Sequence, residues 1–367
     1  MPHRKRLLLP IGIHFSSEAL YMAQLEQADG QVLVVSKATK HLTTDPSADG
    51  RTRPSDTAVP DPADEARQAE AMQFVREKIT TNGFRGNEAV ISLPPEHLVI
   101  QHVRLAPMQP EELSSGLTVE LQGKLPFDPK QAVIRHIVAG TVSENNEMKQ
   151  DVIALAARRA IIEKHVASVN RLGLTVTGVG VEPCAMCYPY MFAASSEPAT
   201  AEGPPPIMIV HLGTRTTYVA IVRGAEMTFV KGVEIGTDNL VEALAAAKRL
   251  TVAEAAALRA KWCGSSGPSA IQEAVEAYNS IRWNLEHISD ELESCMRYHT
   301  SLARGTPIDR LLFLGPEARD QALVRVISAH VGVACEVGNP FASVTGTAGA
   351  GEPEMAVAVG LSLFGAQ

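Results

Sequence analysis

A chain of 367 residues, 45% apolar and 20% charged, has room for about two domains around a large core, which excludes a mini-protein. Lys and Arg number 33 against 41 Asp and Glu, and the resulting net charge of -8 means that nucleic acid would be repelled by the molecule as a whole. Five cysteines in so long a chain are no disulfide framework and point to a reducing, cytosolic setting.

The first elements are short β-prone runs at Leu7 to Phe15, Ala19 to Leu25 and Gln31 to Lys37, a three-stranded meander. The basic start, Arg4 to Arg6, imitates a signal peptide only until Pro10 and Gly12 break its apolar run. No uncharged stretch approaches the roughly 18 to 20 apolar residues that span a bilayer, so membrane association is expected to come through a partner. Residues 43–66 carry four prolines and six acids against two arginines, a composition that predicts a disordered acidic loop. A helix at Ala71 to Ile79 and strands at Glu88 to Leu93 and Leu98 to Leu105 follow, then a helix from Pro110 to Leu125. Strands at 133–142 and 150–156, a helix from Arg159 to Leu172 and a strand at 174–181 lead to a short helix from Pro183. The small, Pro-rich stretch from Ala199 to Pro206 reads as a crossing between halves.

A second three-stranded meander opens the second half, at Ile207 to Leu212, Tyr218 to Val222 and Glu226 to Val233. Helices are predicted at 238–249 and, from the capping box Thr251 to Glu254, through 261. Apolar residues then recur at three or four from Ile271 to Leu302, the pattern of one long helix. The chain closes with a strand at 311–314, a helix at 319–331, a strand at 333–337 and an apolar helix at 354–363.

In a two-lobed fold with duplicated meanders, the first hairpin turn of each lobe points into the cleft, where backbone N–H groups can cradle phosphate. Here the two turns are Ile11 to Ser17 (IGIHFSS) and Ile209 to Thr217 (IVHLGTRTT). The arrangement resembles the actin-like ATPase superfamily, whose phosphate turns read Asp-x-Gly-Ser/Thr. Within it the chain is similar to the PilM family of type IV pilus assembly proteins, themselves related to the division protein FtsA. The resemblance is carried by Ala89 to Pro94 (AVISLP), Glu120 to Phe127 (ELQGKLPF), Glu182 to Ala185 (EPCA), Val233 to Leu240 (VEIGTDNL), Ile308 to Gly315 (IDRLLFLG) and Ala356 to Leu361 (AVAVGL).

It implies an α/β, actin-like ATPase fold: two ribonuclease-H-like lobes, at 1–198 and 207–367, with a small α+β subdomain inserted at about 88–180. It also implies ATP with magnesium in the cleft, near Ser16, Ser17, Gly213, Thr214, Thr216, Thr217, Gly236 and Gly315, with Glu182 as the catalytic candidate. The departures weaken that implication. His14 and His211 stand where the family places magnesium-organising aspartates, Ser16 replaces a glycine, Tyr21 a lysine, and Pro316 the second glycine of the adenosine turn. Imidazole is a poor ligand for Mg²⁺, which prefers hard oxygens, so nucleotide binding is expected to be weak or lost and hydrolysis negligible. The alternatives are an active ATPase or an FtsA-like division protein. Two histidines could also serve a transition metal, with Glu182 or Cys184 as a third ligand, but no tight multi-ligand spacing supports this and no metal site is assigned. Cys184 and Cys187 read as buried thiols.

By resemblance, the expected partner is the N-terminal cytoplasmic tail of a PilN-like inner-membrane protein, within a pilus or secretion complex. The tail would lie between the first lobe and the insertion, near Val99, Ile100, Val103, Leu105 and Pro126–Phe127.

Overall fold

Pro10 decides how the chain begins. The computed structural model describes residues 6–16, 18–29, 31–42, 62–144, 146–195, 203–263, 267–302, 306–345 and 351–364. The predicted strand Leu7 to Phe15 is two strands, β1 (Arg6–Leu8) and β2 (Ile11–Phe15). A proline has no N–H for the ladder, so pairing lapses there; both pieces still lie antiparallel to β3 (Ala19–Ala28), Leu8 opposite Glu26 and Gly12 opposite Ala23. β4 (Gln31–His41) completes the meander. Next comes α1 (Pro62–Thr81), which claims residues 62–66 of the predicted acidic loop; its remainder, 43–61, lies outside the described residues. Proline at a first helical turn costs no hydrogen bond, which lets the helix start there.

β5 (Glu88–Ser92) runs parallel to β2. An insertion follows: β6 (Val99–Leu105), α2 (Pro110–Glu120), β7 (Ala132–Glu144), β8 (Glu147–Arg158) and α3 (Arg159–Asn170). α2 stops at Glu120 instead of Leu125, and beyond it Gly123 takes φ +78. The chain returns as β9 (Thr175–Gly180), parallel to β5, and continues into α4 (Glu182–Ala185) and α5 (Tyr188–Ser195).

The second half repeats the first. β10 (Ile207–Leu212), β11 (Thr217–Arg223) and β12 (Glu226–Val233) form the meander, followed by α6 (Thr237–Lys248) and α7 (Val252–Cys263). The predicted long helix is two, α8 (Pro268–Ser280) and α9 (Arg282–Leu302), broken where Ile281 leaves helical geometry at φ -116, ψ 28. Ile281 is buried, so the apolar period runs through the break and conceals it. β13 (Arg310–Leu314), α10 (Gln321–Val331), β14 (Ala334–Val337), β15 (Val344–Thr345) and α11 (Ala356–Phe364) complete the chain. α10 starts two residues later than the predicted 319, because Asp320 caps it by accepting from Leu323 N–H at 3.0 Å.

Two sheets with the same plan result. The first has the order β15-β4-β3-β2-β5-β9 with β1 on β3; the second is β12-β11-β10-β13-β14. Without β1 and β15, each runs third, second, first, fourth, fifth strand of its own sheet in chain order, three antiparallel strands then two parallel ones. The apolar helix α11 packs beneath β2 so closely that a Cβ on Gly12 would overlap the Ala358 carbonyl oxygen, and one on Gly360 the Ala185 carbonyl oxygen. Glycine there is a packing requirement. Ser362 fastens the crossing, donating to Pro10 O at 2.8 Å and accepting from Leu25 N–H at 3.2 Å.

The inserted three-stranded sheet, ordered β6-β8-β7, is covered on both faces. Leu113, Leu117 and Leu121 of α2 and the turn after it pack on Val99, Val103, Leu105 and Val152. Ile153, Leu155 and Ala157 face the other way and join the core of the second sheet. There His102 Nε2 lies 2.8 Å from Val230 O, and the Tyr298 hydroxyl of α9 donates to the buried Asp151 carboxylate. Of the six residues offered to a partner peptide, Val99, Val103 and Leu105 are therefore spent on the protein's own helix, and Ile100 is half-buried.

Candidate functional site

The first strand of each half ends beside the other, and the helix joining the halves begins between them. β2 carries His14 and β10 carries His211, each one residue before its strand ends, and Glu182 opens α4. All three are buried, at 1%, 3% and 5% exposure. His211 Nδ1 lies 2.7 Å from Glu182 Oε1, and His14 Nε2 lies 3.5 Å from Glu182 Oε2. The rings stand 6.4 Å apart at 74°, and His14 stacks on Tyr21 at 5.6 Å.

Among the described residues the imidazole nitrogens have no partner that meets hydrogen-bond geometry. The attraction is electrostatic. Burial alone would raise the Glu182 carboxyl, but His211 and then His14 outweigh it and hold the group well below the usual carboxylate range. An ionised carboxylate this deep needs compensating partners, and the two imidazoles are the groups that contact it.

Around the three, the sequence-predicted turn residues serve their own backbone. Ser16 closes its hairpin, its hydroxyl donating to Ala19 O at 3.0 Å and accepting from Ala19 N–H at 3.1 Å. Ser17 lies outside the described residues. The amides of Thr237 and Asp238 at the start of α6 donate to the carbonyls of Gly213 and Thr214 at 3.0 and 2.9 Å, and Gly236 N–H donates to Asn239 Oδ1 at 3.0 Å. A helix start that would otherwise face an anion is thus capped from within. Thr217 is buried and donates to Ile235 O at 2.8 Å, while Thr216 is half-buried in the same turn. Gly315, at φ +87, sits against His211, and its N–H donates to Pro353 O at 3.1 Å.

Sequence reasoning missed the charges at the rim. Glu18 lies just beyond the first turn, Asp238 opens α6, and Glu317 follows Gly315. Arg259 of α7, 5% exposed, pairs with Glu317 at 2.5 Å and donates to the Tyr278 hydroxyl at 2.9 Å, and Tyr278 donates in turn to Asp320. This network packs directly behind the turn at Gly315. The signal was positional: Glu18 and Glu317 each follow a turn residue already singled out.

Burial, then the carboxylates of Glu317 and Asp238, push the Glu18 carboxyl up to about 7, with Arg259 acting against them. The unfolded chain ionises near 4.5 while the folded one still holds its proton, so this group's contribution to stability is lost as pH rises from there towards 7. Glu18→Gln is expected to remove that slope and to stabilise the protein by about 2 kcal/mol near pH 8, discounted for partial exposure, with little effect near pH 4. Urea midpoints at the two pH values check it.

These residues do not fit a magnesium nucleotide. The hard oxygen ligands expected at the two strand ends are imidazoles, Glu182 is held between them, and the first amides of α6 are spent on carbonyls. At the rim, the Arg259 guanidinium is already engaged by Glu317. Among the described residues no group of three His, Cys, Asp or Glu side chains is arranged to hold a metal ion. Cys184 is half-buried and Cys187 buried; burial raises the Cys184 thiol to about 12 and Cys187 well above its ordinary value, so both stay protonated.

A family model described as type IV pilus assembly protein PilM matches residues 12–364. The chain belongs to the PilM family. Among solved structures, a chain from a PilM–PilN type IV pilus biogenesis complex is 19% identical, covers 98% of this chain and 98% of its own, and superposes with a TM-score of 0.71. The ethanolamine utilization protein EutJ from Carboxydothermus hydrogenoformans is 15% identical over 97% of this chain and 89% of its own, with a TM-score of 0.51. The fold is the actin-like one, as the duplicated sheets indicate. Among the described residues no helix is long and apolar enough to cross a membrane.

Proposed function

We propose that this PilM-family chain is a cytoplasmic scaffold of type IV pilus assembly, or of the related type II secretion machinery, with nucleotide binding weak or lost. Its two lobes, one built on each large sheet, would hold the insertion between β5 and β9, narrower than the expected 88–180, as a platform for the N-terminal cytoplasmic tail of a PilN-like inner-membrane protein. The similar chain in the PilM–PilN complex supports the choice of partner. The observation that carries the scaffold over an ATPase is the buried His14–Glu182–His211 group at the place of catalysis.

A tail lying between the first lobe and the insertion would meet what α2 and the sheet leave accessible. That is Pro126, exposed, and Phe127, half-buried, with Arg158 over the Phe127 ring at 5.0 Å. Main-chain hydrogen bonds would supply affinity there and a few side-chain pockets specificity. Anchoring through such a tail accounts for membrane association without a spanning helix.

Calorimetric titration of the full chain with the synthetic tail encoded by the neighbouring membrane-protein gene tests this reading. Saturable binding of equal affinity with and without Mg-ATP is expected. No heat in either condition, from a folded sample, would remove the scaffold; binding only with Mg-ATP would restore the nucleotide-switched alternative.

A further inference from the structure

We propose that the cleft is closed by its own side chains, with His14, Glu182 and His211 tying the two halves together where a magnesium nucleotide would otherwise bridge them. This deepens the scaffold reading, resting on it only in taking closure, not turnover, as the purpose of the cleft.

The Glu182 carboxylate lies between two imidazoles, one from β2 and one from β10. Such a pattern offers Mg²⁺ a single carboxylate and needs no bound ion to hold the strand ends together. The three side chains come from three separate elements, so their attraction acts between parts of the fold that no local hydrogen bond joins.

Packing supports the same conclusion. Tyr21, 2% exposed, backs His14, while a Cβ on Gly315 would lie 3.0 Å from His211 Nε2, so the glycine turn rests on the imidazole. On the phosphate side, the amides at the start of α6 are bonded to carbonyls of the turn they would need to leave. Opening this cleft for a nucleotide would break the histidine–carboxylate contacts, which costs more than rearranging exposed loops. Closure is thereby built into the chain and does not depend on a ligand.

Two sets of variants test the latch. In hydrogen exchange, Glu182→Gln, which keeps the shape and removes the charge, is expected to speed exchange at the ends of β2 and β10 and in α4 by about tenfold or more, with the α2–β6–β8 core unchanged. The double variant His14→Asp, His211→Asp places three carboxylates together. It is expected to become dependent on a divalent cation, its Tm rising by about 5 °C or more in millimolar Mg²⁺ while the native Tm stays within about 1 °C. Unchanged exchange in a folded Glu182→Gln sample would overturn the proposal, as would a native protein that Mg²⁺ stabilises as strongly as it does the double variant. Should the double variant not fold, exchange in native protein with and without Mg-ATP decides: protection of both strand ends by the nucleotide contradicts the latch, and no change supports it. Tail binding is read separately, so loss of the scaffold reading and loss of the latch are distinct results.

Discussion

Glu182→Ala is expected to destabilise the protein by about 3 to 5 kcal/mol, the cost of breaking a buried charge cluster by removing one partner. Two imidazoles at 1% and 3% exposure would then lose the carboxylate that both contact, and a cavity would stand in its place. The penalty has a pH signature. Because the Glu182 carboxyl is held below its unfolded value of 4.5, its contribution is present above that pH and is lost as pH falls towards the depressed value, so the difference between variant and native should shrink in acid. A triple replacement of His14, Glu182 and His211 by apolar residues of similar volume should recover most of the loss, since the charges themselves are costly to bury. Urea unfolding of the three proteins measures both effects.

Gly360→Ala should be as damaging for a different reason. The added Cβ would overlap the Ala185 carbonyl oxygen of α4, a backbone atom that cannot rotate away. Relief requires α11 to lift off the crossing between the halves, taking with it the Ser362 bonds to Pro10 and Leu25. A loss of about 3 kcal/mol or more is expected, the upper range for overpacking. Gly116→Ala is the control. There the nearest atom is Met108 Sδ at 2.9 Å, the far end of a flexible side chain, and the half-buried helix position favours alanine by about 1 kcal/mol, so the change should be neutral or stabilising.

The repeated meanders were legible because β-prone runs and small polar turns announce them twice, and because the histidines sit at the same place in each copy. That made His14, His211 and Glu182 visible as a group before their distances were known. What stayed hidden depended on partners far away in sequence. Ile281 breaks a helix while keeping its apolar period, so periodicity could not reveal the break. The run from Val152 to Ala157 reads as a strand, but nothing local says that its two faces meet α2 on one side and the second sheet on the other. Val99 and Val103 suggested a docking surface for the same reason: an apolar residue looks alike whether its neighbour is a partner or the protein's own helix. Arg259, Glu317 and Asp320 come from segments about 60 residues apart in sequence, and only the fold joins them behind Gly315.

Calorimetric titration of Mg-ATP into the purified chain tests the central claim most directly. A cleft closed by its own histidines and carboxylate predicts no saturable heat at millimolar nucleotide, and no phosphate release above the buffer rate. Saturable binding in the micromolar range that disappears in Glu182→Gln would show that the cleft opens to a nucleotide and would contradict the account.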